Sequence, residues 1–267
     1  MRQLKVIGLA LLVMAATGAS ATAYDICTDA ADCEARAKSD IAGGRLEQAL
    51  DALVAEADLA TGAGDDVHLR AALESLTDVN LKLGKPLMAH AWAQAAATAF
   101  DHDQKATATL ENAQKALPKA ETITGISGTY DSYAGYGYWS ELKVAELELG
   151  KVKTGWLMMR FGSVPSAWDN GPAAMWELTA DGQYSDGALI VTYQGTDGGD
   201  CSLTFKRTPL AIEWVAPKPE ELPESCQIGG AGVFPWGPFW LVDTAVPSIE
   251  DADESGDESG AGEDEEP

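Results

Sequence analysis

The chain has 267 residues, of which 42 are acidic and 18 basic, for a formal charge of −24. That balance excludes nucleic acid and anionic lipid surfaces as partners, because phosphate contacts need clustered lysine and arginine. It favours solubility and, where a partner is charged, a cationic one.

The first residues, Met1-Arg2-Gln3-Leu4-Lys5, are positive, residues 6–16 are apolar, and the small residues that follow end in Ala21-Thr22-Ala23. This is the order of a secretory signal, with a cleavage site before Tyr24, so residues 1–23 are expected to be removed. An apolar run of 11 residues is too short for a bilayer, which takes roughly 20. Cys27 follows Tyr24-Asp25-Ile26, which is no small-residue lipid-attachment motif. The expected product is a soluble periplasmic or secreted bacterial protein with no membrane insertion after cleavage. Losing Arg2 and Lys5 takes its charge to −26. The cysteines Cys27, Cys33, Cys201 and Cys226 form an even set in an exported chain, which predicts two disulfides. Three pairings exist, and the two local ones, 27 with 33 and 201 with 226, are favoured. Neither a C-x-x-C pair nor a histidine stands at zinc-ligand spacing, so no metal is expected there.

Residues 24–121 read as a helical domain. Alanine and larger apolar residues recur at helical spacing over 30–41, 46–57, 69–83, 88–100 and 106–117. Gly43-Gly44 ends the first run. An aspartate after Gly62-Ala63-Gly64 is placed to cap the third, Pro86 opens the fourth, and Pro118 closes the set. Such short turns make antiparallel hairpins.

Beyond Thr122 lie seven of the eight tryptophans, and alternation replaces the helical period. Cys201, Leu203 and Phe205 alternate with Ser202, Thr204 and Lys206, Leu142 and Val144 with Glu141, Lys143 and Ala145, and Ile212 and Trp214 with Glu213 and Val215. Residues 188–193 read as a strand buried on both faces. Turn signals stand at Asp181-Gly182, Asp186-Gly187, Asp197-Gly198-Gly199 and Pro217-Lys218-Pro219. Residues 122–246 are therefore an antiparallel β-barrel or sandwich, and the fold class is α+β. Residues 247–267 hold ten carboxylates, no basic group and few apolar residues, the composition of a disordered acidic tail.

Gly44 then Ala49 recurs as Gly84 then Ala89, a repeat of 40 residues. With Leu73, Leu76, Gly84, Ala89, Ala93 and Ala96, the second unit resembles a tetratricopeptide hairpin, and the first resembles it more weakly. Thr77 and Asn80 depart from that family's small and aromatic residues, and Asp40 and Glu56 depart in the first unit. The resemblance implies a concave peptide-binding face that includes Glu74, Asp78, Leu81 and Lys82, with Lys38 from the first unit. The second region, with Gly128-Thr129-Tyr130, Cys201-Ser202-Leu203-Thr204-Phe205 and Cys226-Gln227-Ile228-Gly229-Gly230, resembles a loose class of small exported bacterial β-domains, some of them similar to lysozyme inhibitors.

No reactive constellation emerges. The histidines His68, His90 and His102 all lie in the helical region, and no G-x-S-x-G elbow is present. Asp101-His102-Asp103 reads as a turn with an aspartate cap, and His90 as partly exposed packing. The EF-hand-like opening at Asp251, Asp253, Ser255 and Gly256 lacks its closing acid, since residue 262 is glycine. No catalytic residue, metal or cofactor is expected. Three function classes follow. The first is a non-enzymatic adaptor for a protein or peptide. The second is a glycan binder using the loop tryptophans Trp168, Trp236 and Trp240. The third is a hydrolase built on two carboxylates drawn from Asp131, Glu141, Asp169, Glu177 and Glu213.

Overall fold

The computed structural model describes residues 27–135, 138–148, 150–160, 176–218, 221–226 and 238–249. Five helices come first: α1 (Ala30–Ala42), α2 (Leu46–Ala63), α3 (Asp66–Lys82), α4 (Pro86–Ala99) and α5 (Gln104–Ala116). Their starts follow from the local sequence. The side chains of Asp29, Asp65 and Asp103 accept first-turn amides of α1, α3 and α5. Pro86 occupies the first turn of α4, where its missing N–H costs nothing. Gly64, at φ 67°, closes α2 in the left-handed conformation that glycine enters without a steric penalty. Each helix packs on the next, making two hairpins and a covering helix around Leu53, Leu73, Leu76, Val79 and Trp92. Ala49, Ala60, Ala72, Ala89, Ala93 and Ala96 are fully buried between them, and these small side chains let the helix axes approach closely.

Eight antiparallel strands follow: β1 (Gly128–Gly135), β2 (Tyr138–Glu148), β3 (Lys151–Arg160), β4 (Trp176–Ser185), β5 (Ala188–Gln194), β6 (Asp200–Thr208), β7 (Ala211–Ala216) and β8 (Pro238–Asp243). They pair in sequence order and close into a barrel, not a sandwich, when β8 returns to β1 through Thr129–Asp243, Tyr130–Leu241 and Asp131–Trp240. The interior is filled. Trp156 packs against Phe205 at 5.3 Å and Phe239 at 5.8 Å, and Phe205 against Trp214 at 6.3 Å. Tyr130, Leu142, Val144, Leu189, Val191 and Leu203 complete that core. Ile123 and Ile126 join it from the segment entering β1, where the Tyr130 hydroxyl donates to the Ile126 carbonyl at 2.8 Å.

Three expectations are corrected. Residues 188–193 are not buried on both faces: Leu189, Val191 and Tyr193 point inward, while Ile190 is 45 % exposed. Asp181-Gly182 is no turn but lies within β4. A Cβ on Gly182 would stand 2.9 Å from the Ile190 carbonyl and from a Val152 methyl, so glycine is there to admit the neighbouring strands. The third correction concerns the acidic segment, whose first residues are not free of the barrel. Ile249 packs on β3, within 3.2 Å of where a Gly155 Cβ would stand. The expected leader and the rest of the tail lie outside the described residues.

The helical and barrel modules meet along α4, which packs on β1 and β8 as well as on α3 and α5. Leu87 reaches the barrel core, and Tyr133 of β1 reaches the helical core. The Tyr133 hydroxyl lies 3.1 Å from the Thr61 hydroxyl, and its ring is 5.7 Å from that of Trp92.

Candidate functional site

Both local cysteine pairs stand at disulfide distance, with Cα separations of 5.2 Å for Cys27–Cys33 and 5.6 Å for Cys201–Cys226. Paired cysteines fit a non-cytoplasmic, oxidising compartment, and no described helix is long and apolar enough to cross a membrane. The second pair anchors residues 222–226 to the start of β6. There the Tyr193 hydroxyl donates to the Cys226 carbonyl, and the Thr196 amide donates to the Ser225 carbonyl at 2.8 Å. Burial pushes the Tyr193 hydroxyl up to about 12, so it serves as a donor at any ordinary pH.

The residues expected to bind peptide fare differently. Asp78 and Lys82 are exposed on α3, Leu81 is half-buried, and Lys38 on α1 is exposed but paired with Glu34 at 2.7 Å. Glu74 is engaged by Lys105 of α5, beside a second α3–α5 pair between Arg70 and Asp103. The covering helix therefore takes Glu74 out of any open face. Asp103 serves twice, as the cap of α5 and as the partner of Arg70. The Ala106 amide, with Arg70 and Lys105, holds its carboxyl below the usual range.

Trp168 and Trp236 lie outside the described residues. Trp240 is not a loop aromatic: it belongs to β8, between the inward-facing Phe239 and Leu241, and so points out of the barrel. Its ring meets His90 of α4 edge-on at 5.2 Å. His90 is only 2 % exposed, which corrects the expectation of partial exposure. Its Nε2 lies 3.1 Å from the Gln94 side-chain amide, its Nδ1 is buried without a hydrogen-bond partner, and burial holds its ring below the usual histidine range.

Register brings Asp131 and Glu141 opposite one another on β1 and β2. Asp169 lies outside the described residues, as does the Glu177 side chain, and Glu213 is exposed on β7. Asp131 is 4 % exposed and Glu141 is held 3.0 Å from Lys143. Among the described residues no group of three or more His, Cys, Asp or Glu side chains converges to hold a metal.

Two features escaped the sequence. One is a cleft of about 670 Å³ between the modules. The start of α4, with Lys85, Pro86, Leu87 and Met88, and the end of α5, with Ala116 and Pro118, form its helical side. Thr129 and Asp131 of β1, Glu141 of β2, and Val242, Asp243 and Thr244 at the end of β8 form its barrel side. No local signal announces it, because its two walls lie far apart in sequence. The other is Glu56 of α2, which is fully buried with neither carboxylate oxygen hydrogen-bonded. Its spacing from Ala49, Leu53 and Ala60 sets it on the apolar stripe, and that was the signal available. Desolvation first, then the nearby Glu34 and Asp65, push its carboxyl up to about 7 against the pull of His68 and Lys38.

No protein-family model matches this chain, and no curated protein or solved structure gives a significant match.

Proposed function

We propose that this chain is an exported adaptor of the bacterial cell envelope, periplasmic or secreted, that binds a protein or peptide partner and catalyses no reaction. The observation that carries this reading is the filled barrel. Trp156, Phe205, Trp214 and Phe239 occupy the bore, where a hollow barrel of this strand number would hold one small ligand. Recognition then falls to the outer faces of the two modules and to the cleft between them. The antiparallel packing of the first four helices, each on the next, supports the same role, since stacked hairpins can present one continuous face to a partner. Two stapled loops and a strongly acidic surface suit a soluble protein outside the cytoplasm.

Affinity capture from envelope extract tests the reading. Natively folded chain is compared with heat-unfolded chain, and each captured protein is purified and titrated back. A protein retained only by the folded chain, with saturable binding in isolation, is the expected result. Identical captured sets from folded and unfolded bait would overturn the proposal.

A further inference from the structure

The cleft between α4, the end of α5 and the barrel wall has a definite chemistry. On its helical side, α4 begins without a side-chain cap. The Leu87 and Met88 amides are first-turn donors, which an α-helix leaves without an intrahelical acceptor, and the positive end of the helix favours a carbonyl oxygen there. On its barrel side stand the carboxylates of Glu141 and Asp243. Of the nearby cations, Lys85 is paired with Glu47 at 3.0 Å and Lys143 shares Glu141 at 3.0 Å, so the uncompensated charge of this wall centres on Asp243, which is exposed and in no ion pair among the described residues. Met88, Pro118 and Val242 supply apolar surface between the two walls.

Backbone donors facing carboxylate acceptors across an apolar strip suit an extended peptide whose carbonyls meet the helix start and whose cationic side chains meet the barrel. The volume lies within the range of about 300–1,000 Å³ typical of ligand sites, room for a few residues. Like charge excludes the chain's own acidic C-terminal segment as occupant. We propose that this cleft binds an extended, lysine- or arginine-bearing segment of a partner protein. The proposal rests on the adaptor reading and gives it a surface and a partner chemistry.

The test titrates the purified full-length protein with a capped octapeptide of alternating lysine and valine, and with the same peptide carrying glutamate for lysine. Saturable binding of the lysine peptide alone is expected, with the Leu87 and Met88 amide resonances shifting. The double variant Glu141→Lys, Asp243→Lys reverses the wall charge and weakens binding by at least about tenfold. Ala116→Trp fills the cleft without altering charge and weakens it comparably, so the result does not depend on one variant folding. Lys151→Glu with Lys206→Glu, at exposed barrel positions outside the cleft lining, leaves the affinity unchanged. Absence of saturable binding, equal binding of both peptides, or undiminished binding by folded Ala116→Trp would each overturn the cleft as the site. If a captured envelope protein still binds folded Ala116→Trp at full strength, the cleft fails and the adaptor role stands. If no partner is captured at all, the adaptor reading is what fails.

Discussion

Replacing Glu56 with glutamine tests the reading of the helical core most directly. The carboxyl sits on α2 with no solvent exposure and no hydrogen-bond donor. Glu34 and Lys38 approach from α1, and Asp65 and His68 from the start of α3. A charge in that place costs far more than a neutral acid, so the folded chain keeps the proton that the unfolded chain releases at the ordinary 4.5 and loses it only at about 7. Because the folded-state value is the higher one, the stabilising contribution is complete below 4.5 and is lost as pH rises towards about 7. At ~1.36 kcal/mol for each pH unit of that gap, the loss amounts to roughly 3 kcal/mol. His68, raised by its bond to Asp65, adds a slope of the same sign, so wild type alone cannot isolate Glu56. The difference between wild type and Glu56→Gln can. The glutamine amide has no partner either, which lowers the variant by about 1–3 kcal/mol at every pH. The quantity to read is therefore the change of the difference with pH. Urea unfolding followed by far-ultraviolet circular dichroism, across the window from 4.5 to above 7, should show wild type losing about 3 kcal/mol relative to the variant. Parallel stability curves would refute the assignment of a buried, proton-holding carboxyl.

Four further outcomes follow from the same geometry. His90, depressed by burial, contributes stability that is present above its unfolded value and lost as pH falls through the folded one. His90→Leu should therefore flatten the acid-side decline in urea midpoint, a slope opposite in sign to that of Glu56. Replacing Cys201 and Cys226 with serine opens a loop of sequence separation 25 and should cost about 3.5 kcal/mol, against roughly 2 kcal/mol for the separation of 6 between Cys27 and Cys33, as chemical denaturation would read. Gly182→Ala drives a methyl to 2.9 Å from the Ile190 carbonyl in the barrel wall and should cost about 1–3 kcal/mol. Gly155→Ala meets a methyl of Ile249 at 3.2 Å, with Ile249 Cγ1 at 3.7 Å and Lys143 Cβ at 3.9 Å in ordinary contact; Ile249 lies close to the end of the described chain and is able to yield, so the midpoint should change little.

Legibility in the sequence followed the range of the interaction involved. The helices were readable because their signals are local: an aspartate or a proline starts each of α1, α3, α4 and α5, and a glycine follows α1 and α2. The barrel strands were readable wherever polar residues interrupt the apolar ones, as in Cys201 to Phe205. Where they do not, as in the run Leu189, Ile190, Val191, the outward residue is as apolar as its neighbours and the alternation disappears. Asp-Gly was a true turn at Asp186-Gly187, where both residues take positive φ, and a false one at Asp181-Gly182. The dipeptide is the same in both places. At Asp181-Gly182 the pairing of β4 with β3 and β5 decides, and a short sequence window holds no trace of it. Trp240 was misplaced for a related reason. Pro235-Trp236-Gly237-Pro238 reads as loop grammar, and nothing in it reveals that β8 closes a barrel immediately afterwards.

The modules also depend on one another more than two compositional halves would imply, and α4 is the reason. From Ala89 to Ala96 every residue but Gln94 is buried. A helix covered all round needs partners on opposite sides, and α4 has α3 and α5 on one and β1 and β8 on the other. Cutting the chain after residue 121 would strip the cover from His90 and Leu87 and take Tyr133 away from Trp92 and Thr61. It would also leave Trp240 and Tyr133 bare on the barrel wall. Exposing aromatic side chains of this size forfeits roughly 1.5–3 kcal/mol apiece where they had been fully covered, a large share of a marginal fold's stability. The helical fragment alone should therefore bind a hydrophobic dye and unfold at a lower urea concentration than the same helices within the intact chain. A fragment with the intact chain's midpoint and no dye binding would mean that α4 does not need the barrel, and the cleft between them would then lose its fixed wall.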